Sequence, residues 1–162
     1  MTSHISDRDN GLKAHKAKFK NNARVTVGLH ATEGAAPKAE PDGTSALTLV
    51  EVGEFHEFGL GVPQRSFVAG AVDENEAELQ AKLTNAMHEA AKPGGMGPEK
   101  QLARFGLYVV GVMQERISAG IAPELQESTK KWKARQGVGP KDTPLILTGQ
   151  LRSSIRSKVE IT

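Results

Sequence analysis

The sequence predicts an α+β domain: a small antiparallel sheet packed against two long helices, with a flexible basic N-terminal arm over residues 1–22. Two observations supply the sheet. ARVTVGLHA, residues 23–31, sets Val25, Val27 and Leu29 at period two among β-branched residues, and the C-terminal run alternates through Ile155, Lys158, Val159, Glu160 and Ile161. The third observation supplies the helices, since apolar residues recur at three-four spacing over 66–92 and again over 99–119. At 162 residues the chain fits one domain, placed at 23–162 with a loop insertion at about 32–45.

Each element has a local reason. LKAHKAKFKNN alternates Lys with small residues and has no sustained apolar face, so residues 1–22 read as a flexible or weakly helical arm. TEGAAPKAEPDGTS, residues 32–45, is rich in Gly, Pro and Ala and lacks periodicity, which marks a long loop. ALTLVEVGEFHEFG is ambiguous, with strand spacing in its first half and helical spacing in its second; a short helix following Ser45 and ended by Gly59 is favoured. Pro63 then restricts the chain, Ser66 stands as the N-cap of the first long helix, and Gly70 marks a place for a bend.

PGGMGP breaks that helix, and the second carries Leu102, Phe105, Val109, Val112, Met113 and Ile117 on one stripe. Gly106 and Gly111 weaken it while allowing a neighbour to approach closely. Gly120 ends it, Pro123 stands where a first-turn proline is tolerated, and PELQESTKKWKARQG forms a short basic helix or turn. The C-terminal strand is expected to pair antiparallel with 23–31. No internal repeat or useful coiled-coil heptad is present.

Composition narrows the function. With no cysteine, disulfides, thiolate catalysis and Cys-based metal sites are excluded together. Residues 1–20 lack the apolar stretch of a signal peptide, and no window approaches the ~18 apolar residues of a spanning helix, so a soluble protein is expected. A hydrophobic fraction of 38% with only seven aromatic residues points to a thin core, stabilised by partners.

Net charge is +2, but it is sorted: seven Lys/Arg against three Asp/Glu in 1–38, six against fourteen in 39–127, and eight against two in 128–162. The segregation suits nucleic-acid binding, through 12–24 and 130–135, or a subunit whose basic ends meet the acidic middle of a neighbour. The second is favoured because +2 overall is weak for a dedicated DNA binder.

GEFHEFGLGVPQRSF, residues 53–67, crowds Glu54, His56 and Glu57 into four positions. A metal reading fails on geometry: a helical zinc pair needs ligands one turn apart, whereas His56 and Glu57 are adjacent and diverge by about 100° on a helix. Ser66, Ser128, Ser153 and Ser154 lack a nucleophile elbow, and neither a Walker loop nor a dinucleotide fingerprint occurs. No catalytic residue, metal or cofactor is therefore assigned, and a hydrolase centred on His56 stays an outside alternative.

Arg65 is expected to pair with a carboxylate such as Glu57, bracketed by Phe58 and Phe67, with Gly59 and Gly61 giving freedom and Pro63 rigidity. In STKKWKARQG, Trp132 interleaves with Lys130, Lys131, Lys133 and Arg135. Three readings stand: phosphate contact with a stacking indole, a solvated helix anchored to the core by its Trp, or a contact with the acidic run DENEAE of a neighbouring subunit. Thr148 and Gly149 read as a turn between two apolar anchors that caps the segment 150–154.

Two blocks carry a resemblance. HEFG with PQRSF, and PELQESTKKWKARQG with TPLILTGQLRSSI, resemble paired signatures of tailed-bacteriophage neck and tail-completion proteins, in the broad group of HK97-type tail-component and Mu-type virion morphogenesis families. The blocks span roughly 53–67 and 123–156, and Leu147 departs from an acidic residue usual before the Thr-Gly pair.

The resemblance implies a non-enzymatic virion protein of the head-tail junction, assembled in the host cytoplasm. It would form a ring, a hexamer foremost, beside adaptor or stopper proteins and tail-tube or tail-terminator proteins, with DNA in the channel nearby and no membrane. It carries over His56, Glu57, Phe58, Gly59, Pro63, Arg65 and Phe67 as a clasp, and Leu145, Ile146, Thr148, Gly149, Leu151, Ser154 and Ile155 as a second block.

Overall fold

The computed structural model describes residues 12–30 and 47–162, and over these the chain is α+β. Its elements in order are α1 (Leu12–Lys18), β1 (Ala23–Leu29), α2 (Leu49–Phe58), α3 (Ala69–Glu74), α4 (Glu76–Ala91), α5 (Pro98–Ala119), α6 (Glu127–Gln136), α7 (Gln150–Ser153) and β2 (Ile155–Ile161). Residues 1–11 of the expected arm and the expected loop at 32–45 lie outside the described residues. Residues 12–18 of that arm segment are helical, and Lys18 Nζ donates to the carbonyls of Lys92 and Gly95, each at 3.0 Å.

The two strands pair antiparallel, Ala23 opposite Ile161 through Leu29 opposite Ile155, so the sheet closes the domain from near its beginning to its end. α5 lies along both strands. Gly106 explains the close approach: a Cβ there would stand 2.7 Å from Ser157 Cβ and 2.8 Å from Val25 Cγ2. Of the two long helices, α5 lies directly on the sheet and α4 packs against α5. Buried Phe67, Leu79, Val109, Met113, Ile117 and Ile155 join strand and helices in one core.

Several boundaries move for identifiable reasons. α2 starts at Leu49 because Thr48 and Glu51 form a capping box, and it ends at Gly59, whose φ of 72° suits a left-handed C-cap. The helix expected over 66–92 divides at Asn75, not Gly70. Asn75 Nδ2 donates to Ala71 O at 2.9 Å, a local side-chain bond that competes with the helical ladder. Ser66 is not the N-cap, which is Val68, although its hydroxyl accepts from Gly70 N at 2.9 Å. Pro98 opens α5, its missing N–H being one of the unsatisfied first-turn donors. Pro123 precedes the first residue of α6 by four positions, so the first-turn reading of that proline is also corrected. Among the described residues no helix is long and apolar enough to cross a membrane.

Gly106 and Gly111 separate cleanly. Gly106→Ala is expected to cost about 1–3 kcal/mol through overpacking against the sheet, whereas Gly111, whose Cβ would meet nothing within 4 Å, is expected to gain up to about 1 kcal/mol as Ala. Urea denaturation midpoints of the two variants read the contrast.

Candidate functional site

The first motif folds as a clasp, with partners other than those expected. Glu57 and Arg65 do not pair. The Glu57 carboxylate, 9% exposed, accepts from Ser66 Oγ at 2.6 Å, from the amides of Phe67 and Ala69 at 2.8 and 2.9 Å, and from Val68 N at 2.9 Å. Those amides lead into α3 and have no earlier helical turn to receive them, so the carboxylate replaces the missing acceptors. Burial by itself pushes the Glu57 pKa up. The Ser66 hydroxyl and the three amides outweigh it and hold the group below its usual 4.5.

Arg65 is 5% exposed and faces the other way. Its Nε donates to Pro123 O at 2.9 Å and its Nη2 to Glu124 O at 3.3 Å, while its backbone N donates to His56 O at 2.7 Å. The guanidinium therefore ties the first block to the opening residues of the second. Arg116 of α5 completes the arrangement, donating from Nε to Ser66 O at 2.9 Å and pairing with Glu74. Nothing in the sequence spacing singles out Arg116, because its role appears only once α5 lies beside 66–74. Phe67 is buried at 1% exposure, but Phe58 points outward at 66%, which corrects the bracketing of Arg65 by two aromatic rings.

The second block builds the opposite wall. Lys133 is 4% exposed; its Nζ donates to Thr143 O at 2.9 Å and Ile146 O at 2.8 Å, fastening the loop to α6. Burial lowers its pKa from the usual 10.5, against a smaller opposing effect of Asp142. Between the two anchor points Leu145 takes φ of 61°, a conformation costly for a bulky side chain and held here by its surroundings. Gly149 opens α7 with φ of 78°, and Thr148 Oγ1 accepts from Gln150 N at 3.4 Å. Leu151 and Ile155 beyond it are buried, and Ser154 N donates to Gln150 O at 3.0 Å.

These walls enclose a groove of about 260 Å³ between α2, α6 and the loop over 143–149. Val52 and His56 of α2, Thr129 and Trp132 of α6, and Leu145 and Ile146 of the loop line it. Residues of the two blocks, separated by some seventy positions of sequence, thus meet at one place. Neither Gly59, which ends α2, nor Pro63, which is exposed, lines it.

No protein-family model, curated protein or solved structure matches the chain.

The basic cluster around Trp132 divides by environment. Lys133 is removed from the set of residues expected to contact DNA or an acidic partner, because its ammonium is buried on two carbonyls. Lys130 pairs with Glu124 and Glu127 at 3.3 and 3.2 Å; those bonds, led by Glu127, raise its pKa. Lys131 and Arg135 are exposed. Trp132 is 39% exposed and lines the groove, so it is not the core anchor of one sequence reading. Among the described residues no group of three His, Asp or Glu stands close enough to hold a metal ion.

Two variants follow from this chemistry. Glu57→Gln places an amide donor against amide donors and is expected to cost about 1.5–3 kcal/mol. Because the folded pKa of Glu57 is depressed, its contribution is present above the unfolded value of about 4.5 and is lost as pH falls through the lower folded value. The gap between wild-type and Glu57→Gln urea midpoints should therefore be constant near neutrality and shrink as pH falls below about 4.5. Lys133→Met should cost about 1–3 kcal/mol by stranding two carbonyls, while Lys131→Ala should stay within about 0.5 kcal/mol, both read by thermal or urea unfolding.

Proposed function

We propose that the protein is a structural subunit of a tailed-bacteriophage neck, acting in tail completion or head-tail joining as part of an oligomeric ring and performing no chemistry. The observation that supports this most is the convergence of the two blocks resembling neck-protein signatures on one groove, with Arg65 of the first bonded to Pro123 and Glu124 of the second. Residues that belong together in a family signature need a physical reason to do so, and a shared clasp supplies one.

The sorted charge fits a subunit made to meet copies of itself and other neck components. Its middle segment is acidic and its ends are basic, so neighbouring copies can attract without the chain carrying a large net charge. On this reading the ring, hexameric foremost, stands between adaptor or stopper proteins and the tail tube or its terminator, within the virion. The competing nucleic-acid reading loses donors: Lys18 and Lys133 are bonded to carbonyls, and Arg24 and Lys130 to carboxylates.

Solution mass measured at moderate salt, with negative-stain imaging of the same sample, tests the proposal. A multi-subunit ring is expected. A protein that stays monomeric at every concentration and binds duplex DNA with a steep salt dependence would contradict it.

A further inference from the structure

α2 presents different chemistry on its different sides. Leu49, Gly53 and Glu57 are buried, and Val52 and His56 line the groove. Glu51, Glu54 and Phe58, spaced three and four residues apart, form an exposed ridge on the side away from it. Gly59 ends the helix in a left-handed turn and Leu60 follows it directly; Phe58 is 66% and Leu60 55% exposed. An exposed aromatic and an exposed aliphatic residue two positions apart, with the Glu54 carboxylate one helical turn before the aromatic, have the composition of a contact anchor.

The groove carries the complementary arrangement. Its apolar lining opens beside the half-exposed Trp132. Arg135 stands three residues after Trp132 and Lys131 four before Arg135, so two exposed cations lie within about one helical turn of the indole, outside the groove lining itself. On the ridge, Glu54 stands four residues before Phe58. Both pairs place charge about one helical turn, roughly 5 Å, from an aromatic ring, so a Phe58 ring seated beside Trp132 brings Glu54 within reach of Arg135.

We infer that the Phe58–Leu60 ridge of one copy docks into the Trp132-lined groove of a second copy, with Glu54 facing Arg135 and Lys131. The inference rests on the ring reading and gives it an interface. Ridge and groove occupy different sides of the same helix, so a copy that receives one neighbour still offers its own ridge to another. The contact is head-to-tail, the kind that closes into a ring or runs on as a filament, not a two-fold dimer. Glu51 is already committed to the Thr48 capping box, which leaves Glu54 as the ridge's charged partner.

Light scattering across a concentration series tests the contact in the full chain. Phe58→Asp removes the ridge, and Thr129→Trp fills the groove from an exposed helix position; both sites are exposed, and circular dichroism verifies folding. Each variant is expected to weaken self-association at least about tenfold. Mixed in equal amounts, the two variants should stop at one-to-one dimers, because only one groove and one ridge remain competent. Glu54→Arg and Arg135→Glu should each weaken association, and their combination should restore much of it. Assemblies of wild-type size and affinity in both Phe58→Asp and Thr129→Trp would overturn this interface and leave the ring reading standing. A wild type that is monomeric throughout would overturn both.

Discussion

A buried carboxylate with four donors organises this chain. Glu57 reaches from the last turn of α2 to partners nine to twelve residues on, gathering the Ser66 hydroxyl and three successive amides, and so fixes the angle at which α3 leaves the preceding loop. A charge buried at this depth is tolerated only when its lone pairs are filled, and here they are. With that turn fixed, Phe67 enters the core and the Ser66 carbonyl meets Arg116 from α5. Arg65, next to that turn, donates to the carbonyls before α6. The groove follows from these bonds, because they set the distance between the wall that carries His56 and the wall that carries Trp132.

Much of the fold was legible because period and length are local signals. The strands at Ala23–Leu29 and Ile155–Ile161, their antiparallel pairing, and the helix over Pro98–Ala119 follow from alternation and three-four spacing. What was not legible lies in choices between equally polar partners. A sequence shows that Glu57 and Arg65 are eight residues apart and of opposite charge, but not that backbone amides compete for the carboxylate and carbonyls for the guanidinium. The backbone wins here because a loop leading into a helix leaves several N–H groups unsatisfied at once, and one carboxylate can serve them all.

The same blindness applies to Lys133 and Asn75. In STKKWKARQG all four cations look alike, yet the helical turn that sends Trp132 to the groove carries Lys133 inward beside it, onto the carbonyls of Thr143 and Ile146. Nothing in the spacing marks Asn75 as a break, yet the helix divides there, where its side chain bonds Ala71 O. The resemblance carries Phe58 into the clasp, but adjacency to Glu57 on a helix sends the two side chains apart, one inward and one to solvent. That outward position is what makes α2 a surface with two distinct sides.

The account turns on the Glu57 carboxylate being the acceptor for the amides of Phe67, Val68 and Ala69, none of which lies within a preceding helix. Residue-resolved amide hydrogen exchange at neutral pH reads this directly, in the wild type and in Glu57→Gln. The expected result is marked protection of all three amides in the wild type, lost in the variant while Val109, Met113 and Ile117 of α5 stay protected. Unprotected exchange at 67–69 in a wild type whose α5 is protected, or protection that survives Glu57→Gln unchanged, would contradict the account.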